Sequence, residues 1–184
     1  GGAGFVGSHI CLTLLEEDYN IYIIDNFLNS SKKVFDSITK IINKKANFDH
    51  NRLNIFAGDI RDELFLNKVF EEASKNGNSI DGVIHCAGLK AVKESIYDPL
   101  SYWDTNVHGS INLLKVMNKN QCRTILFSSS ATVYGKSNKI PFNENSSLNL
   151  LNLYGETKLT VERILENLFE SLSEKWQVGY LRYF

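Results

Sequence analysis

Apolar positions along this chain switch repeatedly between helical and strand-like spacing. Residues 5–17 read as a helix, with Val6, Ile10 and Leu14 on one face and Cys11 and Leu15 beside them. Residues 21–24 form a short apolar run that closes at Asp25. A polar helix follows over 30–45, with Val34, Ile38, Ile41 and Ile42 at helical spacing. Residues 53–57 are another short run, ending at Gly58-Asp59. A helix over 63–75 points Leu66, Val69, Phe70 and Ala73 inward. Residues 82–86 read as a buried strand and 102–118 as a long helix. The strand over 123–127 runs into three serines, and a helix over 154–172 precedes a last strand over 178–184.

Strands alternating with helices predict βαβ units, hence an α/β fold with a doubly wound parallel sheet. The first helix has no strand before it, although a right-handed crossover unit needs one. The first strand is therefore expected to be missing from the 184 residues, and 1–184 to form one incomplete domain. The single methionine, Met117, and the opening glycine cluster fit the same expectation.

Composition narrows the class. Lys and Arg number 20 against 21 Asp and Glu, a net charge of −1. That balance argues against a nucleic-acid or anionic-membrane partner. An apolar share of 43% supports a real core, and no apolar run is long enough to span a bilayer. Two prolines, Pro99 and Pro141, mark no Pro-rich linker. Cys11, Cys86 and Cys122 are odd in number and scattered, which fits a reducing, cytoplasmic setting without disulfides or zinc. His9, His50, His85 and His108 lack metal-ligand spacing, so no metal is expected.

Gly1, Gly4 and Gly7 form G-x-x-G-x-x-G directly before the first helix. Such glycines allow a tight turn and a close approach to a pyrophosphate, and the helix start offers free N–H groups. Asp25 closes the next strand 18 residues after Gly7. A carboxylate at that spacing suits the adenosine ribose hydroxyls and favours NAD over NADP. Asp25-Asn26 is also good turn chemistry.

Tyr154 and Lys158 are four apart on one helix and so share a face. An ammonium beside a phenol stabilises the phenolate and is expected to lower its pKa, giving a general base for a sugar hydroxyl. Ser130 ends the preceding strand, on the side where ligands of open parallel sheets bind. A hydroxyl there can hold a substrate oxygen or relay its proton. Cys86 reads as a small packing residue.

The glycine turn, Asp25-Asn26, Gly58-Asp59-Ile60, Tyr154 and Lys158 together resemble the extended short-chain dehydrogenase/reductase family. Three longer strings, residues 85–92, 128–135 and 181–184, closely resemble its UDP-glucose 4-epimerase branch, and the likeness runs over essentially the whole chain. The resemblance implies an NAD-binding Rossmann fold and an NAD that stays bound and is regenerated each cycle. It implies interconversion of UDP-glucose and UDP-galactose through a 4-keto intermediate, in galactose metabolism. It also implies a C-terminal substrate domain beyond these residues, and a homodimer built by helices such as 102–118 and 154–172.

By position, the resemblance puts Gly1, Gly4, Phe5, Val6 and Gly7 on the pyrophosphate turn. Asp25, Asn26, Phe27, Leu28, Asn29 and Ser30 would surround the adenosine ribose, and Asp59 and Ile60 would flank the adenine. Cys86, Ala87, Gly88, Leu89 and Lys90 would line the dinucleotide, with Asn106 also touching it. Ser130 and Tyr154 would face nicotinamide and sugar, Lys158 the nicotinamide ribose, and Phe184 the cofactor and substrate. Ser130, Tyr154 and Lys158 form the implied catalytic set, with a UDP-hexose as substrate.

Two departures stand out. Asn152-Leu153 occupy the place of a common Ser-Pro before the catalytic Tyr, and Lys93 replaces a usual Gly. Related 4,6-dehydratases carry a Thr-Asp-Glu set after the serine strand, whereas Ala131-Thr132 follow Ser130 here. That argues against dehydration. Epimerases for UDP-glucuronate or N-acetyl sugars remain an alternative, as does a binding-only NAD module, which would not need the Ser130, Tyr154 and Lys158 set.

Overall fold

A computed structural model describes residues 1–44, 49–136, 140–171 and 175–184. Lys45 and Leu172, the last residues of two expected helices, lie outside the described residues. The elements run α1 Phe5–Glu16, β1 Ile21–Asp25, α2 Lys33–Ile42, β2 Leu53–Ala57, α3 Glu63–Lys75 and β3 Val83–His85. After these come α4 Val92–Tyr97, α5 Pro99–Tyr102, a π-helical segment Trp103–His108, α6 Gly109–Lys119, β4 Thr124–Ser130, α7 Leu153–Glu170 and β5 Gln177–Tyr183.

The chain divides into two compact units, Gly1–Ser79 and Ile80–Phe184. The first holds a parallel pair, β1 beside β2, with Ile21 opposite Leu53 and Asp25 opposite Ala57. The second holds a parallel three-stranded sheet in the order β3-β4-β5. Every pairing is parallel, as the alternation of strands and helices requires.

In the first unit the core is Ala3, Cys11, Leu15, Ile21, Ile23, Phe35, Ile38 and Ile42. The buried face of α1 is centred on Gly7, Ser8, Cys11 and Leu15 rather than on Val6, Ile10 and Leu14. The side-chain-free edge at Gly7 brings the helix close enough to bury that face. Helix α2 starts three residues later than its polar pattern suggests. The Ser30 hydroxyl is spent on Asp25, and Ser31 Oγ accepts from the Lys33 N–H instead. Asp62 caps α3 by accepting from the Phe65 N–H at 2.9 Å.

In the second unit the long helix expected over 102–118 is three pieces. Its π-helical turn carries Asn106, whose side-chain amide is committed to the loop after β3. π turns of this kind frequently sit at functional sites. Strand β4 extends through Ser130 because Ser129 and Ser130 still pair with Arg182 and Tyr183 of β5. The short helix α4 has too few apolar positions to show a period.

Candidate active site

In the first unit, α1 begins directly from the glycine turn. Gly4 is its N-cap, and no side chain caps the helix. The Gly4 N–H donates to the Gly1 carbonyl at 3.4 Å, and the Ser8 N–H to the Gly4 carbonyl at 2.9 Å. A Cβ on Gly7 would lie 2.2 Å from the Gly1 oxygen and 2.8 Å from the Gly2 Cα, so only glycine fits there. At Gly4 a Cβ would meet only the Gly1 oxygen at 3.5 Å. The turn is thus tight on its inner side and open at Gly4, beside uncapped helix amides. Phe5 is exposed at that opening and Val6 is half-buried.

Asp25 is buried at the end of β1. One carboxylate oxygen accepts from the Ala3 N–H at 2.9 Å. The other accepts from the Phe27 N–H at 2.9 Å and the Ser30 hydroxyl at 2.8 Å. Burial pushes this carboxyl up, and the hydrogen bonds from Phe27, Ala3 and Ser30 pull it down. Asp25 therefore organises the glycine turn and its own loop, where Phe27 takes a φ of 57°. The turn role expected of Asp25-Asn26 is thus seen in the bonds from the Phe27 N–H and the Ser30 hydroxyl. Asn26, Leu28 and Asn29 are exposed and Ser30 half-buried.

Asn26 donates to Asp59 at 2.9 Å, and the Arg61 guanidinium grips the same carboxylate at 2.9 and 2.8 Å. Hydrogen bonds from Arg61, first of all, hold the Asp59 carboxyl well below its usual range. Ile60 beside it is buried. Arg61 was not among the expected site residues, and its position two after Asp59 is the only sequence signal for it.

In the second unit, the loop after β3 is fixed by Asn106. Its Oδ1 accepts from the Leu89 N–H at 2.8 Å, and its Nδ2 donates to the Leu89 carbonyl at 3.0 Å. The same Nδ2 donates to Thr157 Oγ1 of α7 at 3.1 Å. Gly88 has a φ of 152°, and a Cβ there would sit 3.0 Å from Asn106 Oδ1 and 3.7 Å from Lys158 Nζ. Asn106 thus ties Gly88-Leu89 to the Tyr154–Lys158 face of α7. Cys86 and Ala87 are half-buried in the same loop, and Lys90 is exposed. Burial raises the Cys86 thiol, so it is no ready nucleophile.

Lys158 is only 5% exposed. Its Nζ donates to the Ser128 carbonyl at 2.8 Å and lies 4.7 Å from the Phe127 ring centroid. Burial pushes this ammonium down to about 8, with Cys86 and Glu162 pulling the other way. The Tyr154 ring centroid is 5.8 Å from Nζ. The expected lowering of the phenol is not found. Burial raises Tyr154, and Ser130 offsets only part of that. The reason is geometric, since the ammonium serves Ser128 and lies beside the ring, not on the hydroxyl.

Ser130 Oγ accepts from the Thr132 N–H at 3.2 Å and the Thr132 hydroxyl at 3.0 Å. Phe184 follows Tyr183, the β5 partner of Ser130. Its ring stacks with Tyr134 and Phe142, yet it remains exposed. Asn152 caps α7, accepting from the Gly155 N–H at 2.8 Å. A good N-cap therefore accounts for the departure at 152. Nothing in the structure explains Lys93, which is exposed.

Two further groups escaped the sequence reading. His85 is buried with Nε2 2.8 Å from Ser110 Oγ, and burial, then the charge of Lys158, pushes it down to about 3. Glu162 is fully buried and paired with Arg182 at 2.7 Å. A glutamate among Leu159, Val161 and Leu165 was its available signal. Among the described residues no His, Cys, Asp and Glu cluster could hold a metal, and no helix is long and apolar enough to cross a membrane.

A family profile described as GDP-mannose 4,6 dehydratase matches residues 1–181. The chain belongs to that family. UDP-glucose 4-epimerase 2 of Arabidopsis thaliana is 42% identical over 184 residues, which is all of this chain and 50% of the relative. The chain spans about half the length of the curated relatives it matches. A Bifidobacterium longum UDP-glucose 4-epimerase, solved in complex with NAD+ and UDP, superposes with a TM-score of 0.89 at 39% identity. It covers all of this chain and 51% of that one. The Stenotrophomonas maltophila UDP-glucose-4-epimerase, with bound NAD and formylated UDP-arabinopyranose, gives the same TM-score at 36% identity and the same coverage. The α/β fold expected from the strand and helix order, in the Rossmann form that the resemblance implies, is thus the fold of this family member.

Proposed function

We propose that this chain is the cofactor-binding, catalytic part of a nucleotide-sugar 4-epimerase that interconverts UDP-glucose and UDP-galactose. The observation that carries the reading is Lys158, buried on the Tyr154 face of α7 and donating to Ser128, two residues before Ser130. Relatives named as UDP-glucose 4-epimerases across the chain's full length support the same reaction. Galactose metabolism is part of the same reading, and the three free cysteines fit a reducing, cytoplasmic setting.

The residues present fit an NAD. The open side of Gly4 and the uncapped amides of α1 suit its pyrophosphate. Asp25 through Ser30 suit the adenosine ribose, and Asp59 with Ile60 the adenine. Residues 86–90, Asn106, Ser130, Tyr154, Lys158 and Phe184 suit the nicotinamide half. When bound, this cofactor accepts a hydride from sugar C4 and returns it to the opposite face of the ring.

The chain's own residues handle the proton. Ser130 orients the sugar 4-hydroxyl and passes its proton to Tyr154, which later gives it back. Lys158 supplies a positive charge that favours the phenolate. Because burial keeps the Tyr154 phenol protonated at neutral pH, its activation needs positive charge beyond that of Lys158. Elimination of water is disfavoured because Ala131, Thr132 and Val133 after Ser130 offer no carboxylate.

A homodimer is part of the same reading, with exposed Tyr97, Leu100 and Phe169 among the apolar side chains a second copy would cover. The 1–184 segment is read as the NAD-binding domain, completed by a substrate domain. The test is product analysis of the whole protein with UDP-glucose, UDP-glucuronate and UDP-N-acetylglucosamine. Inversion at C4 of UDP-glucose supports the proposal. Turnover of the other two sugars alone points to a different epimerase, and no turnover of any to a binding module.

A further inference from the structure

The α7 face that carries Tyr154 and Lys158 continues one turn further to Glu162. These three side chains meet three consecutive residues at the end of β4. Ser130 pulls the Tyr154 phenol down, Lys158 donates to the Ser128 carbonyl, and the Ser129 hydroxyl donates to Glu162. Glu162 is also gripped by Arg182 of β5, with Nε at 3.0 Å and Nη2 at 2.7 Å. The third Arg182 nitrogen donates to the Tyr134 hydroxyl at 3.0 Å, and the guanidinium lies 4.9 Å from the Tyr134 ring centroid.

A buried ion pair recovers little beyond its desolvation cost, so an apolar pair of similar volume could hold α7 on β5 as firmly. What an apolar pair could not do is accept from Ser129 and face Lys158 with negative charge. The groups around Lys158 are Tyr154 and Glu162 on α7, Phe127 and the Ser128 carbonyl on β4, and His85 and Cys86 from β3 and its end. At neutral pH His85 is held uncharged, and burial raises both the Cys86 thiol and the Tyr154 phenol. The Glu162 carboxylate is therefore the negative charge in this set.

We propose that Glu162 is a positioning residue, which fixes Ser129, and with it the aim of Ser130 at Tyr154, while keeping Lys158 charged. The proposal rests on the functional reading of Ser130, Tyr154 and Lys158 given above.

The test is Glu162→Leu in the whole protein, which removes both the charge and the Ser129 acceptor, with two readouts. The Lys158 titration is followed by NMR of 13C-labelled lysine without substrate, and kcat and KM are measured for the UDP-hexose. The Lys158 midpoint should fall by about half a pH unit or more. The kcat should fall roughly ten-fold or more, with KM little changed. If Arg182, left without its partner, unfolds the single variant, Glu162→Leu/Arg182→Met removes both charges; kcat should fall as before, while the Lys158 midpoint should fall by less, because a positive charge leaves with the negative one. An unmoved Lys158 midpoint, or an unchanged kcat in an active protein, overturns the proposal. A wild-type protein that leaves every UDP-hexose unchanged overturns the functional reading instead, because the NMR readout needs no turnover.

Discussion

Lys158 donates to the main-chain carbonyl of Ser128 at 2.8 Å, from a position buried between α7 and β4. The ammonium is therefore held by the strand that presents Ser130, not by the Tyr154 hydroxyl. Helix and strand are locked at the point where the proposed proton transfer occurs.

That burial sets a pH limit. Lys158 loses its proton near pH 8, well below an exposed lysine. The rate should decline as pH rises through about 8. Steady-state profiles of wild type and Lys158→Met check this. The variant should lose the alkaline limb and retain on the order of 1% of the rate.

Tyr154→Phe removes the proposed base and keeps the ring that packs beside Lys158. Turnover should drop by about 10³-fold or more. Bound dinucleotide, measured after release by denaturation, should stay near wild type. Retained turnover would remove Tyr154 from the proton path.

Gly7→Ala places a Cβ 2.2 Å from the Gly1 oxygen. The turn must open or α1 must shift, at a cost of about 1–3 kcal/mol. Calorimetric titration with NAD should show a large loss of affinity, and the denaturant midpoint should fall. Gly4→Ala, where the nearest atom is 3.5 Å away, should leave the midpoint closer to wild type.

His85 links pH to stability. Its folded value of about 3 lies below its ordinary 6.5, so the unfolded chain binds a proton that the native state does not. Stability from this group is fully present above pH 6.5 and is lost as pH falls towards 3. At pH 5 the loss is about 2 kcal/mol, from 1.5 units at about 1.36 kcal/mol each. Urea unfolding at pH 7 and pH 5 measures it. His85→Gln, which can still meet Ser110, should show a smaller drop between the two.

Much of the architecture was legible because strand and helix periods are local. The bounds of β2 and α3 match their patterns, since Asp59 and Asp62 mark a strand end and a cap. That Tyr154 and Lys158 share one face of a helix was legible from their spacing. What the pattern missed depends on contacts distant in sequence. The break in the 102–118 helix comes from Asn106 reaching Leu89, and the length of β4 from pairing with Arg182 and Tyr183. The raised Tyr154 phenol follows from burial and from where Lys158 spends its proton. Glu162 was hidden for the same reason, because a charged residue on a helix is ordinarily solvated and its partner Arg182 lies 20 residues on.

The most direct measurement follows the hydrogen at sugar C4. The whole protein is incubated with UDP-galactose carrying deuterium at C4, and the products are read by NMR and mass spectrometry. The account predicts UDP-glucose with the deuterium still at C4. Loss of the label to solvent, or a 4-keto-6-deoxy sugar as product, would contradict it.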